Sequence, residues 1–393
     1  MYIQRQIAQI IKKNYENFPV TLITGPRQSG KTTLVRHLFP TYEYYNLEDP
    51  DLRLLAEKDP KTLLSFTGDG IIIDEVQYVP GLLSHIQVIV DSSGKTGKFI
   101  LTGSQNLLLS EKIAQSLAGR VIIFELLPLS VEEIKQVDRL PSLYEELIYK
   151  GFYPVLWSKQ VPAYHWYAGY VNTYIERDLR NIINVKNLTK FQDLLNLLAA
   201  RTGQILNYSS LANDLSVDVK TVMNWISVLE QSYVVFRVRP YYKNFGRRIV
   251  KSPKLYFYDT GLVCYLLELD SPKYLKTFYL RGQLFENMIM AEVQKLLKNC
   301  GLKKTVFYFR DKTGNEVDAL IERYNEIIAA EIKAARSLDL DNMKGLNRLA
   351  QLTDNVRKVM FYGGDKSFMS SDVSIFSWQD ISKFGVEFQI CPD

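Results

Sequence analysis

Short apolar runs alternate with helix-like segments along the early part of the chain. The runs are VTLIT (residues 20–24), GIII (70–73), KFIL (98–101) and VIIF (121–124). Apolar strands separated by helical patterns are typical of a parallel sheet covered by helices on both faces. We therefore predict a parallel α/β domain over residues 1–135, with the KFIL strand between the VTLIT and GIII strands.

Helical periodicity replaces this alternation further along the chain. Residues 136–189 are mostly helical apart from a turn at GFYP, and they predict a helical lid or linker. Residues 190–252 follow with three helical segments and a strand. The segments SSLANDL and VKTVMNWISVLEQS are spaced as in a helix-turn-helix, and VVFRVRP would begin a wing. We expect a winged-helix domain here.

The last segment, residues 253–393, mixes helices and strands. The amphipathic helix RGQLFENMIMAEVQKLLKN precedes three strands, TVFYFR, EVDALIE and IIAAEIKAA. A final strand and helix are predicted in SIFSWQDISKFGVEF. This pattern indicates a separate C-terminal α/β domain.

Composition favours a large globular protein. The chain has 393 residues, 47% of them hydrophobic, which is enough to build the cores of two or three domains. Its net charge of +5 permits nucleic-acid binding without requiring it. Cys264, Cys300 and Cys391 lack metal-ligand spacing and give no disulfide framework. With no long apolar segment and no signal-like N-terminus, we expect a cytoplasmic protein that does not contact a membrane.

The segment TGPRQSGKTT fits a phosphate-binding loop, G-x-x-x-x-G-K-[ST], between a predicted strand and a predicted helix. Its glycines allow backbone N–H groups to approach phosphate oxygens at the positive end of the helix. Lys31 would reach the β- and γ-phosphates, and Thr32 would ligate Mg²⁺. The residues predicted to hold ATP are Gly25, Pro26, Arg27, Gln28, Ser29, Gly30, Lys31, Thr32 and Thr33.

Two acidic residues follow the apolar run of GDGIIIDEVQ. A buried parallel strand ending there would place Asp74 and Glu75 at the sheet edge where the phosphates bind. Asp74 is the expected Mg²⁺ partner, and Glu75 is the carboxylate expected to polarise the attacking water. The alternative is an ordinary solvated acidic turn.

Two further residues are catalytic candidates. Ser104, or else Thr102, follows the KFIL run and would lie near the γ-phosphate. Arg120 precedes the VIIF run, and there it could stabilise transition-state charge on the nucleotide of a neighbouring subunit, an effect of ~10³ to 10⁵ in rate. The alternative for Arg120 is a surface salt bridge.

A basic stretch follows the predicted helix-turn-helix. From Arg237 to Lys254 the chain has seven basic residues and no acidic one, with aromatic residues between them. Basic side chains release counterions from phosphates, and aromatic rings can stack on bases. We predict DNA contacts here, against a solvated hairpin or a subunit interface. The predicted contact residues are Lys243, Arg247, Arg248 and Lys251.

A second set of charged residues lies in the C-terminal domain. Asp318 in one strand and Glu331-x-Lys333 in the next resemble the metal-dependent nuclease fold of the restriction-endonuclease type. Residues two apart in a strand share a face, so these side chains can converge. Glu286, Asp318 and Glu331 would hold Mg²⁺, and Lys333 would orient the nucleophile or stabilise phosphate charge. The alternative is that these residues form the charged, solvent-facing side of a half-buried sheet, which would show the same sequence pattern.

The runs TGPRQSGKTTL, IIIDEVQYVPGLL, FILTGSQNLLL and LAGRVIIFELLPLS together resemble a bacterial and archaeal family of AAA+ superfamily ATPases. The C-terminal domain of that family was long of unknown function. Later segments such as SPKLYFYDTGL and RGQLFENMIMAEV fit as well, so the resemblance covers nearly the whole chain. It implies a P-loop NTPase sheet of AAA+ type, a possible homo-oligomer, and ATP and Mg²⁺ as cofactors.

Three functions fit these observations. The leading interpretation is a Mg²⁺-dependent ATPase that acts as a nucleotide-driven switch on DNA. The first alternative is an ATP-regulated, metal-dependent endonuclease. The second alternative is a nucleotide-switched protein-interaction module whose nuclease-like domain is inert.

Overall fold

The computed structural model describes residues 1–104, 116–174, 188–241, 252–338, 343–370 and 372–391. The chain forms two compact units. The first contains residues 1–129 with the short segments 231–233 and 298–301, and the second contains the rest. Within the described ranges, no helix has both the length and the apolarity needed to cross a bilayer.

The first unit is built on a five-stranded parallel sheet with the strand order β2-β3-β4-β1-β5. The strands are β1 (Val20–Thr24), β2 (Glu43–Asn46), β3 (Ile71–Asp74), β4 (Phe99–Gly103) and β5 (Val121–Glu125). As predicted, β4 lies between β3 and β1. The edge strand β2 was not predicted, because its sequence EYYN is only half-buried and has no apolar run.

Helices cover both faces of this sheet. They are α1 (Ile7–Asn14), α2 (Lys31–Leu38), α3 (Pro50–Lys58), α4 (Pro60–Leu63) and α5 (Leu82–Ser93). In β3, Ile71 and Ile73 pack in a core with α5, whereas Ile72 packs in a second core with α1 and α2. Because successive side chains of a strand point to opposite faces, a strand buried on both sides must be apolar throughout.

The second unit begins with helices, as the sequence predicts. They are α6 (Val131–Lys135), α7 (Tyr144–Lys150), α8 (Pro154–Ser158), α9 (Ala163–Tyr170), α10 (Leu188–Ala200), α11 (Tyr208–Leu215) and α12 (Val219–Gln231). The predicted helix-turn-helix corresponds to α11 and α12. Asn207 caps α11 by accepting from the Ser210 N–H, and Ser216 ends it in a left-handed conformation.

The C-terminal part of the second unit contains an eight-stranded sheet with the order β12-β13-β11-β10-β9-β8-β6-β7. Its strands are β6 (Val235–Pro240), β7 (Lys254–Phe257), β8 (Val306–Arg310), β9 (Glu316–Arg323), β10 (Glu326–Lys333), β11 (Val356–Tyr362), β12 (Phe368–Ser370) and β13 (Val373–Ser377). The remaining helices are α13 (Thr260–Leu266), α14 (Arg281–Asn299), α15 (Lys344–Leu352) and α16 (Ile381–Glu387).

The strands of the predicted wing, β6 and β7, belong to this larger sheet. β6 pairs antiparallel with β7 and parallel with β8. The predicted boundary between residues 252 and 253 therefore falls inside a hairpin, because main-chain hydrogen bonds join the wing to the C-terminal strands.

The cysteines depart in part from expectation. Cys264 is a buried free thiol. Cys300 and Cys391 are disulfide-bonded, which corrects the expectation of no disulfide framework.

Candidate functional site

The predicted phosphate-binding loop connects β1 to α2 and depends on two glycines. A Cβ at Gly25 would lie 2.1 Å from the Leu126 carbonyl oxygen, so no larger residue fits at the end of β1. Gly30 precedes α2 with φ 95°, in the left-handed region that favours glycine. Gln28, between them, has φ 62°. The resulting turn places the loop directly before the positive end of α2.

Lys31 lies folded against the loop. The side chain is only 4% exposed, and Nζ donates to the carbonyl oxygens of Gly25 and Pro26 at 3.0 Å each. Burial lowers the pKa of the Lys31 ammonium, and the carboxylates of Glu75 and Asp74 oppose that shift. This ammonium is therefore positioned inside the loop and depends on nearby negative charge.

Asp74, at the end of β3, is the centre of a hydrogen-bond network. It is 1% exposed. Oδ2 accepts from Thr32 Oγ1 at 2.7 Å and from Tyr44 Oη at 2.6 Å, and Oδ1 accepts from Thr102 Oγ1. The hydroxyl of Thr32 and the carboxylate of Asp74 are the oxygen ligands that Mg²⁺ prefers, so this pair fits the predicted ion. Tyr44 and Thr102 orient the carboxylate.

Glu75 has an unusual backbone conformation and a side-chain partner that the sequence analysis missed. Its φ is 57°, a region that few non-glycine residues occupy. Its N–H donates to Thr102 Oγ1 at 3.1 Å. Gln77 Nε2 donates both to the Glu75 carboxylate and to Ser104 Oγ, the latter at 3.0 Å. Gln77 thus joins the two predicted residues Glu75 and Ser104.

Two more side chains support the loop without any sequence signal. Arg5, which is buried, donates to the Ser29 carbonyl at 2.7 Å and to the Leu127 carbonyl at 2.6 Å. The hydroxyls of Tyr233 and Thr24 lie 3.0 Å apart, immediately before Gly25. Both contacts join residues that are far apart in the chain, which explains why periodicity and motif spacing do not reveal them.

Arg120 lies at the opposite end of the sheet from the loop. It precedes β5, whereas the loop follows β1, and the two strands are parallel. Its guanidinium bonds both carboxylate oxygens of Asp91, with Nε–Oδ1 at 2.5 Å and Nη2–Oδ2 at 3.0 Å. This is the ion pair considered as the alternative to a role at a neighbouring nucleotide.

The predicted DNA-contacting residues Lys243, Arg247, Arg248 and Lys251 lie outside the described part of the chain. The basic residues at the two ends of that stretch are already engaged. Arg237 pairs with Glu230, and Lys254 is buried.

The four predicted residues of the C-terminal domain come together on neighbouring elements. Glu286 lies on α14, Asp318 on β9, and Glu331 and Lys333 on β10. Lys333 Nζ contacts Glu331 Oε1 at 2.6 Å, and Asp318 Oδ2 accepts from the Ile332 N–H at 2.8 Å. Burial and the nearby Glu286 carboxylate raise the pKa of Asp318 to about 7.

A lysine that was not predicted lies among these carboxylates. Lys254 Nζ is 2.9 Å from Glu286 Oε1 and 3.7 Å from Asp318 Oδ1. Across the described ranges, no group of three or more His, Cys, Asp or Glu side chains is arranged to hold a metal ion. The predicted ligands Glu286, Asp318 and Glu331 therefore lie near an ammonium group rather than in a metal-binding geometry.

Comparisons with known families divide the chain into three parts. Residues 17–135 match an AAA domain, residues 141–273 a domain of unknown function (DUF8612), and residues 281–381 a domain of unknown function (DUF4143).

Similar proteins occur in bacteria and archaea. An uncharacterised protein of Mycobacterium tuberculosis is 29% identical over 379 residues, which is 95% of this chain and 82% of that protein. An uncharacterised protein of Methanocaldococcus jannaschii is 23% identical over 407 residues, 91% of this chain and 88% of that protein. A solved Walker-type ATPase of Pyrococcus abyssi is 16% identical with a TM-score of 0.45, covering 68% of this chain and 96% of that one.

Proposed function

We propose that this chain, which carries an AAA-superfamily P-loop ATPase domain followed by a C-terminal DUF4143 domain, hydrolyses ATP with Mg²⁺ and acts as a nucleotide-driven switch. The observation that carries the proposal is the meeting of Thr32, Asp74 and Glu75 at the carboxyl edge of one parallel sheet. This edge is where such sheets bind ligands.

Each residue has a defined role in the proposed reaction. The backbone N–H groups of the loop and Lys31 bind the phosphates, and Thr32 and Asp74 would hold Mg²⁺. When bound, Mg²⁺ neutralises charge on the β- and γ-phosphate oxygens. Glu75 orients and polarises the attacking water, while Gln77 and Thr102 fix the position of Glu75.

ATP binding and turnover in two variants test this proposal. Lys31→Ala removes charge-assisted hydrogen bonds to phosphate and should weaken ATP binding about tenfold to a hundredfold. Glu75→Gln should keep ATP affinity within about threefold and lower turnover by ~10² or more. Equal turnover in the wild type and Glu75→Gln would exclude Glu75 as the catalytic carboxylate.

We further propose that the switch acts on DNA. Supporting this is the helix-turn-helix of α11 and α12 followed by the β6–β7 hairpin, whose connection contains Lys243, Arg247, Arg248 and Lys251. A helix placed in this way commonly enters the major groove, and a basic wing contacts phosphates.

Duplex DNA binding as a function of salt tests the DNA proposal. Arg247→Gln/Arg248→Gln should weaken binding and lower the slope of log affinity against log salt by about two, one for each lost phosphate contact. Lys58→Gln/Lys61→Gln is the matched control, because it removes the same charge from exposed positions on other helices. Equal DNA binding by both double variants would show that the wing residues do not contact DNA.

A protein-interaction role is the second candidate, and one observation favours it. On α12, the helix that would enter a groove, Val219 is 40% exposed and Met223 is 49% exposed. Exposed apolar side chains suit a protein surface better than phosphates. ATP binding without any salt-dependent affinity for DNA would favour this candidate.

A further inference from the structure

Lys254 is a buried cation surrounded by carboxylates in the second unit. It begins β7 and is 3% exposed. Its Nζ lies 2.9 Å from Glu286 Oε1 and 3.7 Å from Asp318 Oδ1, and it also contacts the Glu316 carboxylate. A buried ammonium group is costly unless it is paired, so these contacts account for its presence in the interior.

The surrounding carboxylates are held by other protein donors. Tyr256 Oη donates to Glu286 Oε1 at 2.6 Å, and Arg310 Nη1 lies 3.3 Å from Glu316 Oε2. The Ile332 N–H donates to Asp318, and Lys333 contacts one oxygen of Glu331. These donors hold the carboxylates of the cluster in place.

One oxygen of the cluster is different. Oε2 of Glu331 is buried and has no hydrogen-bond partner among the described residues. The whole residue is 9% exposed. A buried carboxylate oxygen without a donor is costly. It is therefore the oxygen of the cluster that could accept a further donor or cation if the charge balance changed.

The charges of the cluster can be counted from these contacts. The four carboxylates are Glu286, Glu316, Asp318 and Glu331, and the three cations are Lys254, Arg310 and Lys333. With all four carboxylates ionised, which requires a pH above the pKa of about 7 of Asp318, removal of Lys254 would leave four negative charges facing two positive charges. That deficit of two charges equals the charge of one divalent cation.

We infer that Lys254 is an internal cation that takes the place of the divalent metal implied by the nuclease resemblance. Its ammonium group neutralises Glu286 and Asp318, so the wild-type cluster binds no Mg²⁺ or Mn²⁺ and does not cut DNA. Removing that ammonium group frees the Glu286 and Asp318 side chains to turn toward the unpaired oxygen of Glu331, so that the three carboxylates gain the divalent-cation geometry that they lack in the wild type. This inference is independent of ATP hydrolysis in the first unit.

The test compares Mn²⁺ binding by four full-length proteins after chelation: the wild type, Glu331→Gln, Lys254→Met and Lys254→Met/Glu331→Gln. Free Mn²⁺ is measured by electron paramagnetic resonance, and the unfolding midpoint is measured with and without Mn²⁺. Lys303→Met is the matched control, because Lys303 is exposed. Any Mn²⁺ bound near Thr32 and Asp74 is common to all these proteins.

We expect Lys254→Met to bind one more equivalent of Mn²⁺ than the wild type and to be stabilised by it. The added Glu331→Gln substitution should abolish both effects, and Lys303→Met should show neither. Two results would overturn the inference. One is wild-type Mn²⁺ binding, or plasmid nicking, that Glu331→Gln removes. The other is a Lys254→Met protein that gains neither bound Mn²⁺ nor stability in its presence.

Discussion

The hydroxyl of Thr32 donates a hydrogen bond to Oδ2 of Asp74 at 2.7 Å, although 42 residues separate them in sequence. Because the strand before each residue runs in the same direction in one sheet, both residues reach the same edge. The carboxylate of Asp74 is also fixed by Tyr44 and Thr102. These contacts hold the Asp74 carboxylate and the Thr32 hydroxyl together at the place where we propose that Mg²⁺ binds.

Thr32→Ala should raise the Mg²⁺ concentration that gives half-maximal ATP hydrolysis by about tenfold or more. It removes both a predicted metal ligand and a donor that orients Asp74, and such losses typically reduce metal affinity 10–100-fold. Thr32→Ser should restore most of the affinity, because it keeps the hydroxyl. Thr96→Ala is the control, since Thr96 is exposed and lies outside the phosphate-binding loop. An unchanged Mg²⁺ requirement in Thr32→Ala would contradict the assignment.

Gln77→Leu should lower kcat about tenfold and leave KM within about twofold. Gln77 contacts both Glu75 and Ser104 but does not hold Asp74, so its loss would misplace the proposed catalytic carboxylate of Glu75 without removing phosphate contacts. Steady-state kinetics at saturating Mg²⁺ measures the two constants. A rise in KM with unchanged kcat would instead place Gln77 in nucleotide binding.

Arg120→Ala separates the two roles considered for this residue. The Nε–Nη2 edge of the guanidinium already bonds Asp91 in the same chain, Nη1 donates to the Ala118 carbonyl, and exposed ion pairs contribute little. We therefore expect ATP turnover in Arg120→Ala to differ from the wild type by less than about threefold. Asp91→Ala should show the same small change. A role at the nucleotide of a neighbouring subunit predicts a loss of ~10³ or more in Arg120→Ala alone. Turnover should be measured over a range of protein concentrations.

Tyr233→Phe should lower the free energy of unfolding by about 0.5–1.5 kcal/mol, the usual contribution of a buried hydrogen bond. The Tyr233 hydroxyl lies 3.0 Å from Thr24 Oγ1, next to the first glycine of the loop. Tyr324→Phe is the matched control, because Tyr324 is 94% exposed. Denaturant titration measures both variants. Equal stability of the two variants would show that the Tyr233 contact contributes nothing.

Much of the nucleotide site could be predicted from local sequence. The loop from Gly25 to Thr32 and the strand that ends at Asp74 are contiguous patterns, and a strand buried on both faces shows itself as an apolar run. The sequence also allowed Asp318, Glu331 and Lys333 to be assigned to one face of a sheet, because side chains two residues apart in a strand point to the same side. In the first sheet, the position of β4 between β3 and β1 was also predicted from the sequence.

Only the tertiary structure determined which hydrogen-bond and ion-pair partners these residues have. Gln77, Tyr44 and Arg5 join the nucleotide site through contacts that no local period records. Lys254 is the clearest case, since the sequence places it at the end of a basic, surface-like stretch. β7 instead carries it into the interior, beside carboxylates from α14 and β9. Sequence fixes which side of a strand or helix a residue occupies, because that depends on neighbouring residues. The packing of distant elements decides which charges that side meets.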